Sequence, residues 1–368
     1  MKVCILSMQQ IDNMGSLLQS YALKTTIEKL GNEVEFIDIN KRDDDYKLLG
    51  NYKQEYHEER EKDGLLGKIS KIDRYTLNRL KIKRKNKEQG SAFDEFRKEH
   101  LNIDKKSRHY DFCVIGSDEV FNCLNSGAWG FTSQLFGNVP EANKVITYAA
   151  SCGSTKYEEL PEKVAEKIRR TFENVSAFSV RDENTHKFVG KLTDKSINDN
   201  LDPVLIYNFD CEVEQATLPK MPEHYCVVYS YYNRIHTAEE IGAIKEFCKK
   251  YQLTPIAIGA PQFWIKDYIV CSPFQCLKIF KESDFVITDT FHGTIFASKY
   301  ADKFAVLARA SNKNKLLDLV DKIEMKYHLM SNLSELEEKY SLLKNKENFD
   351  SIIKVETQRA VQYLKNNM

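Results

Sequence analysis

The stretch Ser283-Asp284-Phe285-Val286-Ile287-Thr288-Asp289-Thr290-Phe291-His292-Gly293-Thr294 restricts the fold more than any other part of the chain. Its apolar run over 284–288 has the length and composition of a strand buried on both faces, as strands of parallel sheets are. The chain then turns polar at once. Beyond His292-Gly293-Thr294, the apolar residues Ile295, Phe296, Ala297 and Tyr300 recur at helical spacing. A strand that breaks into a helix at a His-Gly-Thr corner brings an imidazole and the first free helix N–H groups to one spot. In open α/β sheets ligands sit beyond the carboxyl ends of the strands. Unpaired N–H groups and the helix dipole favour an anion there. His292, Gly293 and Thr294 are therefore candidate site residues, set against the alternative of a core histidine at a turn.

The same rhythm recurs along the chain. A strand over 3–6 runs into a loop holding Asn13 and Gly15, then a helix with Gln19 one turn in and Gly31 as its stop. Asn13 and Gly15 suit ligand contact at the sheet edge or plain turn chemistry. After a strand over 33–39, a buried strand over 110–115 stops at Gly116-Ser117-Asp118-Glu119, where Ser117 or Asp118 could cap a helix beyond the corner. A strand over 144–150 ends in Ser151-Cys152-Gly153, and Pro161 opens a helix through 172. A strand over 176–180 ends in Arg181-Asp182, and Leu201-Asp202-Pro203 leads out of this unit. A second α/β unit begins near 225, with strands over 226–229, 255–258 and 304–307 around the opening stretch. The expected architecture is two Rossmann-like α/β domains, 1–208 and 209–335, facing a cleft. Residues 336–368 are expected to end in a helix that packs back on the first domain.

Residues 41–101 break the pattern. They are strongly charged, with basic and acidic clusters side by side and no strand periodicity, and they predict a helical insertion covering the acceptor side of the cleft.

Length and composition narrow the function classes. A chain of 368 residues exceeds one ordinary core. Lys+Arg and Asp+Glu both total 54, so no global field points to nucleic acid or an anionic membrane. No apolar run approaches the roughly 20 residues of a bilayer span, and the N-terminus reads as a strand, not a signal peptide. The nine cysteines show no paired metal-binding spacing and read as reduced, mostly buried thiols of a cytoplasmic protein.

Taken together, the corners resemble the polysaccharide pyruvyl transferase family. The resemblance is carried by Asn13-x-Gly15 with Leu18-Gln19-x-Tyr21-Ala22-Leu23, Gly116-Ser117-Asp118-Glu119-Val120-Phe121-Asn122 and Tyr148-Ala149-Ala150-Ser151-x-Gly153. Ser179-Val180-Arg181-Asp182, Leu201-Asp202-Pro203 and Thr290-Phe291-His292-Gly293-Thr294 complete it, in family order. It implies a GT-B-like fold and transfer of a pyruvyl group from phosphoenolpyruvate to a sugar of a cell-surface polysaccharide or its precursor, giving a ketal. Well-characterised members carry an arginine two places before the motif histidine, where this chain has Thr290.

The chemistry assigns provisional roles. Phosphoenolpyruvate carries a phosphate and a carboxylate, so its site wants cations and helix-end N–H groups. Gly293, Thr294 and Thr290 would form the donor corner. Arg181 would grip an anion, or else pair with Asp182 or Asp202. His292 is the candidate general acid. Asp118 or Glu119 would take a proton from the attacking hydroxyl, with capping the alternative for Asp118. Asn13, Gly15, Gln19, Ser117 and Ser151 are candidate acceptor contacts. No metal or cofactor is expected beyond phosphoenolpyruvate as co-substrate; the acceptor would be a sugar or lipid-linked sugar, and a homo-oligomer is left open. Two other readings are a nucleotide-sugar-dependent glycosyltransferase of GT-B type and a non-catalytic carbohydrate-binding relative.

Overall fold

The computed structural model describes residues 1–40, 45, 48, 75–104, 106–124 and 130–368. Its first half contains β1 (Lys2–Leu6), α1 (Met14–Lys29), β2 (Glu33–Phe36), α2 (Tyr75–Phe96), β3 (Tyr110–Asp118), β4 (Ala142–Ala150), α3 (Glu162–Phe172), β5 (Val175–Val180), α4 (Glu183–Gly190) and β6 (Ile197–Asp199). The second half contains β7 (Tyr225–Tyr229), α5 (Ala238–Lys250), β8 (Thr254–Ile258), β9 (Asp267–Ile269), α6 (Pro273–Lys281), β10 (Phe285–Thr288), α7 (Phe291–Tyr300), β11 (Phe304–Leu307), α8 (Lys313–Lys322), β12 (Leu329–Met330) and α9 (Lys346–Asn367).

The strands form two parallel six-stranded sheets, ordered β2-β1-β3-β4-β5-β6 and β12-β11-β10-β7-β8-β9. This is a two-domain Rossmann-like α/β fold. In the first sheet the winding reverses between β1 and β3, and in the second between β7 and β10. A crevice for ligand opens at such reversals, outside the carboxyl ends of the strands.

The domains share a core. α1 is buried on nearly every side, because Leu17, Leu18, Ala22, Leu23 and Ile27 cover more than one face. It lies inside an apolar cluster running from Val3 and Val114 of the first sheet through Leu205 to Leu277 and Phe296 of the second domain. α9 reaches back across the junction. Asn348 near its start donates to Glu324 at 2.7 Å, and Tyr363 near its end donates from its hydroxyl to the Thr147 carbonyl at 2.8 Å.

Three local expectations change. β3 runs on through Gly116-Ser117 to Asp118, pairing Gly116 with Tyr148 and Asp118 with Ala150. No helix comes directly after it for Ser117 or Asp118 to cap. Pro161 precedes the first helical residue of α3 rather than occupying it. The short edge strands β6, β9 and β12 appear where no apolar run announced them. Of the insertion, only residues 45, 48 and 75–101 are described, so a lid formed by the rest lies outside the described residues. α2 and the wide-turn helix Arg97–Leu101 that continues from it join both domains. Gln89 exchanges hydrogen bonds with the Cys271 backbone at 2.8 and 3.2 Å, while Arg97 donates to the Gln9 carbonyl and to Asp12. Of the nine cysteines eight are buried, and Cys211 is exposed.

Candidate active site

At the β10–α7 corner, Thr290 stays extended while its hydroxyl accepts from Gly293 N at 2.9 Å, capping α7. Its carbonyl receives both Thr294 N, at 3.0 Å, and the Thr294 hydroxyl, at 2.8 Å. A Cβ on Gly293 would stand 2.1 Å from Thr288 Oγ1. Thr290, Gly293 and Thr294 therefore build the turn from its own hydrogen bonds. The N–H groups of Gly293 and Thr294 are already occupied, so neither of these two is available to an anion.

What the corner does is aim His292 into the first domain. The imidazole lies against Gly15, where a Cβ would come within 2.2 Å of its Cγ and Nδ1. Gly15 is thus a space for the ring rather than an acceptor contact. Nε2 is buried, has no hydrogen-bond partner, and stands 3.6 Å from Asp202 Oδ2.

Beneath the ring lies a buried charge cluster. Arg181 donates to Asp202 at 2.8 Å and to Asp118 at 3.2 Å, and its guanidinium sits 4.4 Å from the Phe291 ring centre. Asp118 also accepts from the Ser16 hydroxyl at 2.8 Å. Burial pushes the Asp118 carboxyl up, but Arg181, His292 and the Ser16 hydrogen bond together hold it below the usual range. Burial acts on Asp202 in the same way, and His292, then Arg181, hold it down. Burial disfavours the Arg181 charge, and the two carboxylates outweigh that. Of the two readings for Arg181, the structure shows the ion pair, with Asp202 and Asp118 as partners. Asp118 is neither a cap nor a free base, because both its oxygens are engaged.

Three expected acceptor contacts lie behind the site instead. Gln19 is fully buried, donating to the hydroxyls of Ser7 and Ser20 and accepting from the Ser117 hydroxyl at 2.8 Å. Together they tie the ends of β1 and β3 to α1. Ser151 is buried too, donating to Asp182 at 2.7 Å. With their polar atoms bonded inside the protein, none of the three faces a ligand. Asn13, half-buried, caps α1 by accepting from Gly15 N at 2.7 Å.

A cleft of about 730 Å³ opens between the domains above this cluster. Glu119, Lys156, Asp182 and Lys187 line it on one side, and Tyr231, Arg234, Phe291, Ser311, Lys313 and Lys315 on the other. Lys315 reaches Glu119 across it at 2.6 Å. Lys315 first of all holds the Glu119 carboxyl below its ordinary range, while Glu119 outweighs the burial that would lower the Lys315 ammonium. The start of α8 faces the cleft with no acidic residue in its first turn and no side-chain cap. Asn312, at the cap position, is turned away to Asp289 and Arg309. The Phe291 ring lines the cleft, with the Arg181 guanidinium 4.4 Å and the Lys315 ammonium 4.9 Å from its centre, while His292 is not among the lining residues. Sequence reasoning missed Lys315 and Arg234 as site residues, and saw Asp202 only as a partner for Arg181. The one signal for Lys315 was its place at the start of a helix just after β11.

The fold resembles solved structures over nearly its whole length. UDP-GlcNAc 2-epimerase from Methanocaldococcus jannaschii, in complex with UDP-GlcNAc and UDP, is 13% identical with a TM-score of 0.49, over 97% of this chain and 100% of that one. UDP-N-acetylglucosamine 2-epimerase from Rickettsia bellii is 10% identical with a TM-score of 0.49, over 100% and 98%. The spinosyn rhamnosyltransferase SpnG is 11% identical with a TM-score of 0.40, over 100% and 99%. No curated protein matches. The sequence profile of the polysaccharide pyruvyl transferase family matches residues 13–311, a span that runs from Asn13 past the β10–α7 corner and stops just short of α8, and the chain belongs to that family.

Proposed function

We propose that the protein transfers the pyruvyl group of phosphoenolpyruvate to two hydroxyls of a sugar in a cell-surface polysaccharide or its precursor, closing a cyclic ketal and releasing phosphate. The second domain's wall of the cleft carries this reading. Arg234, Lys313 and Lys315 gather there around the uncapped start of α8, and the one carboxylate on that wall, Asp318, is paired with Lys322 at 3.0 Å. Such a wall suits a small ligand with two anionic groups. It supplies cations that do not depend on an arginine at position 290.

In this reaction His292 gives a proton to the methylene carbon of the donor. A sugar hydroxyl then bonds to the neighbouring carbon, the carbon–oxygen bond to phosphate breaks, and a second hydroxyl closes the ring. One hydroxyl proton ends on the new methyl group and the other on phosphate, so no net proton is taken up. Glu119, in the cleft and partly exposed, is the residue we assign to receive the hydroxyl proton, which requires the bond from Lys315 or from Asn122 to open first. The Phe291 ring must move, or the domains part slightly, for the donor to meet His292.

The test is a binding panel and then a turnover assay. Phosphoenolpyruvate should raise the melting temperature, and phosphate release should appear with the right sugar, together with a new ketal methyl signal in proton NMR. Stabilisation by nucleotide sugars alone, with none by phosphoenolpyruvate, would instead support the glycosyltransferase reading.

A further inference from the structure

His292 and Asp202 belong to different domains, yet they meet where the imidazole Nε2 and the carboxylate are both buried. Asp202 lies just after β6, with its side chain fully buried. Its Oδ1 accepts from Val204 N at 3.0 Å, and its Oδ2 accepts from Arg181. Both oxygens are therefore fixed, and the carboxylate cannot turn away from the imidazole. On the other side Gly15 walls the ring, and Phe296 lies tilted at 6.1 Å between ring centres.

Neutralising Arg181 does not require Asp202, because Asp118 already pairs with it. Two carboxylates around one guanidinium leave a surplus negative charge, and a buried surplus charge is costly unless another group answers it. The imidazole is the neighbour the Asp202 carboxylate faces, with Nε2 3.6 Å from Oδ2. A carboxylate beside one ring nitrogen favours the N–H form of that nitrogen and leaves the other as the base.

We propose that Asp202 is a positioning residue for His292. It reaches across the domain junction to hold the neutral ring as its Nε2–H tautomer, so that Nδ1 carries the proton to and from the donor. The kinetic half of this proposal rests on the pyruvyl-transfer reading above; the tautomer half does not.

The test uses the full chain with ring nitrogen-15-labelled histidine, at a pH where His292 is neutral. Long-range proton–nitrogen correlations report the tautomer, and the signals lost in His292→Ala identify the residue. The wild-type ring should be mainly Nε2–H. In Asp202→Asn, which removes the negative charge beside Nε2, the Nε2–H share of the ring should fall. A wild-type ring in the Nδ1–H form would overturn the proposal without any Asp202 variant, should that variant fail to fold. So would an unchanged tautomer in a folded Asp202→Asn protein.

If the protein releases phosphate from phosphoenolpyruvate, Asp202→Asn should lower kcat by about a hundredfold, the lower end for a misplaced proton-transfer group. KM for the donor should stay within about twofold, and the double variant with His292→Ala should be no slower than His292→Ala alone. Additive losses would overturn the positioning role. A chain with the expected tautomers and no phosphate release would sink the pyruvyl-transfer reading alone.

Discussion

Gly15 and His292 compete for one volume, and that fixes what either position tolerates. A methyl group at 15 would overlap the imidazole, so Gly15→Ala must push the ring out of its slot or spread the two domains. Alanine gains about 1 kcal/mol of helix propensity, against about 1–3 kcal/mol for forcing a methyl into a packed site. The expected result is a small loss of melting temperature with a large loss of turnover, of tenfold or more; a variant with full activity would show that the ring is free to move. The charge cluster makes a second prediction. In the unfolded chain the carboxyls of Asp118 and Asp202 titrate near 4, and in the fold they lie lower. Between those values the unfolded chain binds more protons, so their contribution is complete above about pH 4 and fades as the pH falls through the folded values. Asp118→Asn should therefore flatten the acid side of a melting-temperature profile relative to the wild type. His292 was legible in the sequence because a strand, a corner and a helix sit consecutively around it. Gln19, Ser117 and Ser151 looked like ligand contacts because polar residues after strands usually face the crevice. Packing between β1, β3 and α1 buries Gln19 and Ser117, and the approach of Asp182 after β5 buries Ser151, long-range properties with no local mark.

At the scale of elements, the starts of α1 and α7 meet because each comes after a strand at the point where its sheet reverses. Long apolar runs made β3, β4, β7 and β10 readable. β6, β9 and β12 are only two or three residues long, held by a neighbouring strand rather than by their own composition. The charge of α2 marked a helix but not its destination. It runs to the far edge of the second sheet, where Gln89 satisfies both backbone groups of Cys271. Gln89→Ala leaves a buried N–H and C=O without partners, a loss of about 1–3 kcal/mol for each group that water cannot reach. Urea unfolding should show it, with faster hydrogen exchange at Cys271. Unchanged exchange there would mean that α2 merely rests on the second domain.

For the whole molecule, α9 has a mechanical consequence. Apart from α2, two described stretches link the domains: the segment joining β6 to β7, and α9, a rigid rod of 22 residues fastened at both ends. A covalent link and a packed helix side by side leave a hinge axis but oppose swivelling, so the halves should part like a book more easily than they rotate past each other. The rod also limits how wide the book opens, since one end must let go first. Ending the chain after Asn345 should leave only the first of these two. Small-angle X-ray scattering should then report a larger radius of gyration and a broader spread of shapes, whereas an unchanged profile would place the stiffness in the shared apolar cluster alone. A ligand reaching between the halves would meet a jaw with one easy direction of travel, so the approach of His292 to its partner would be set mainly by a single angle.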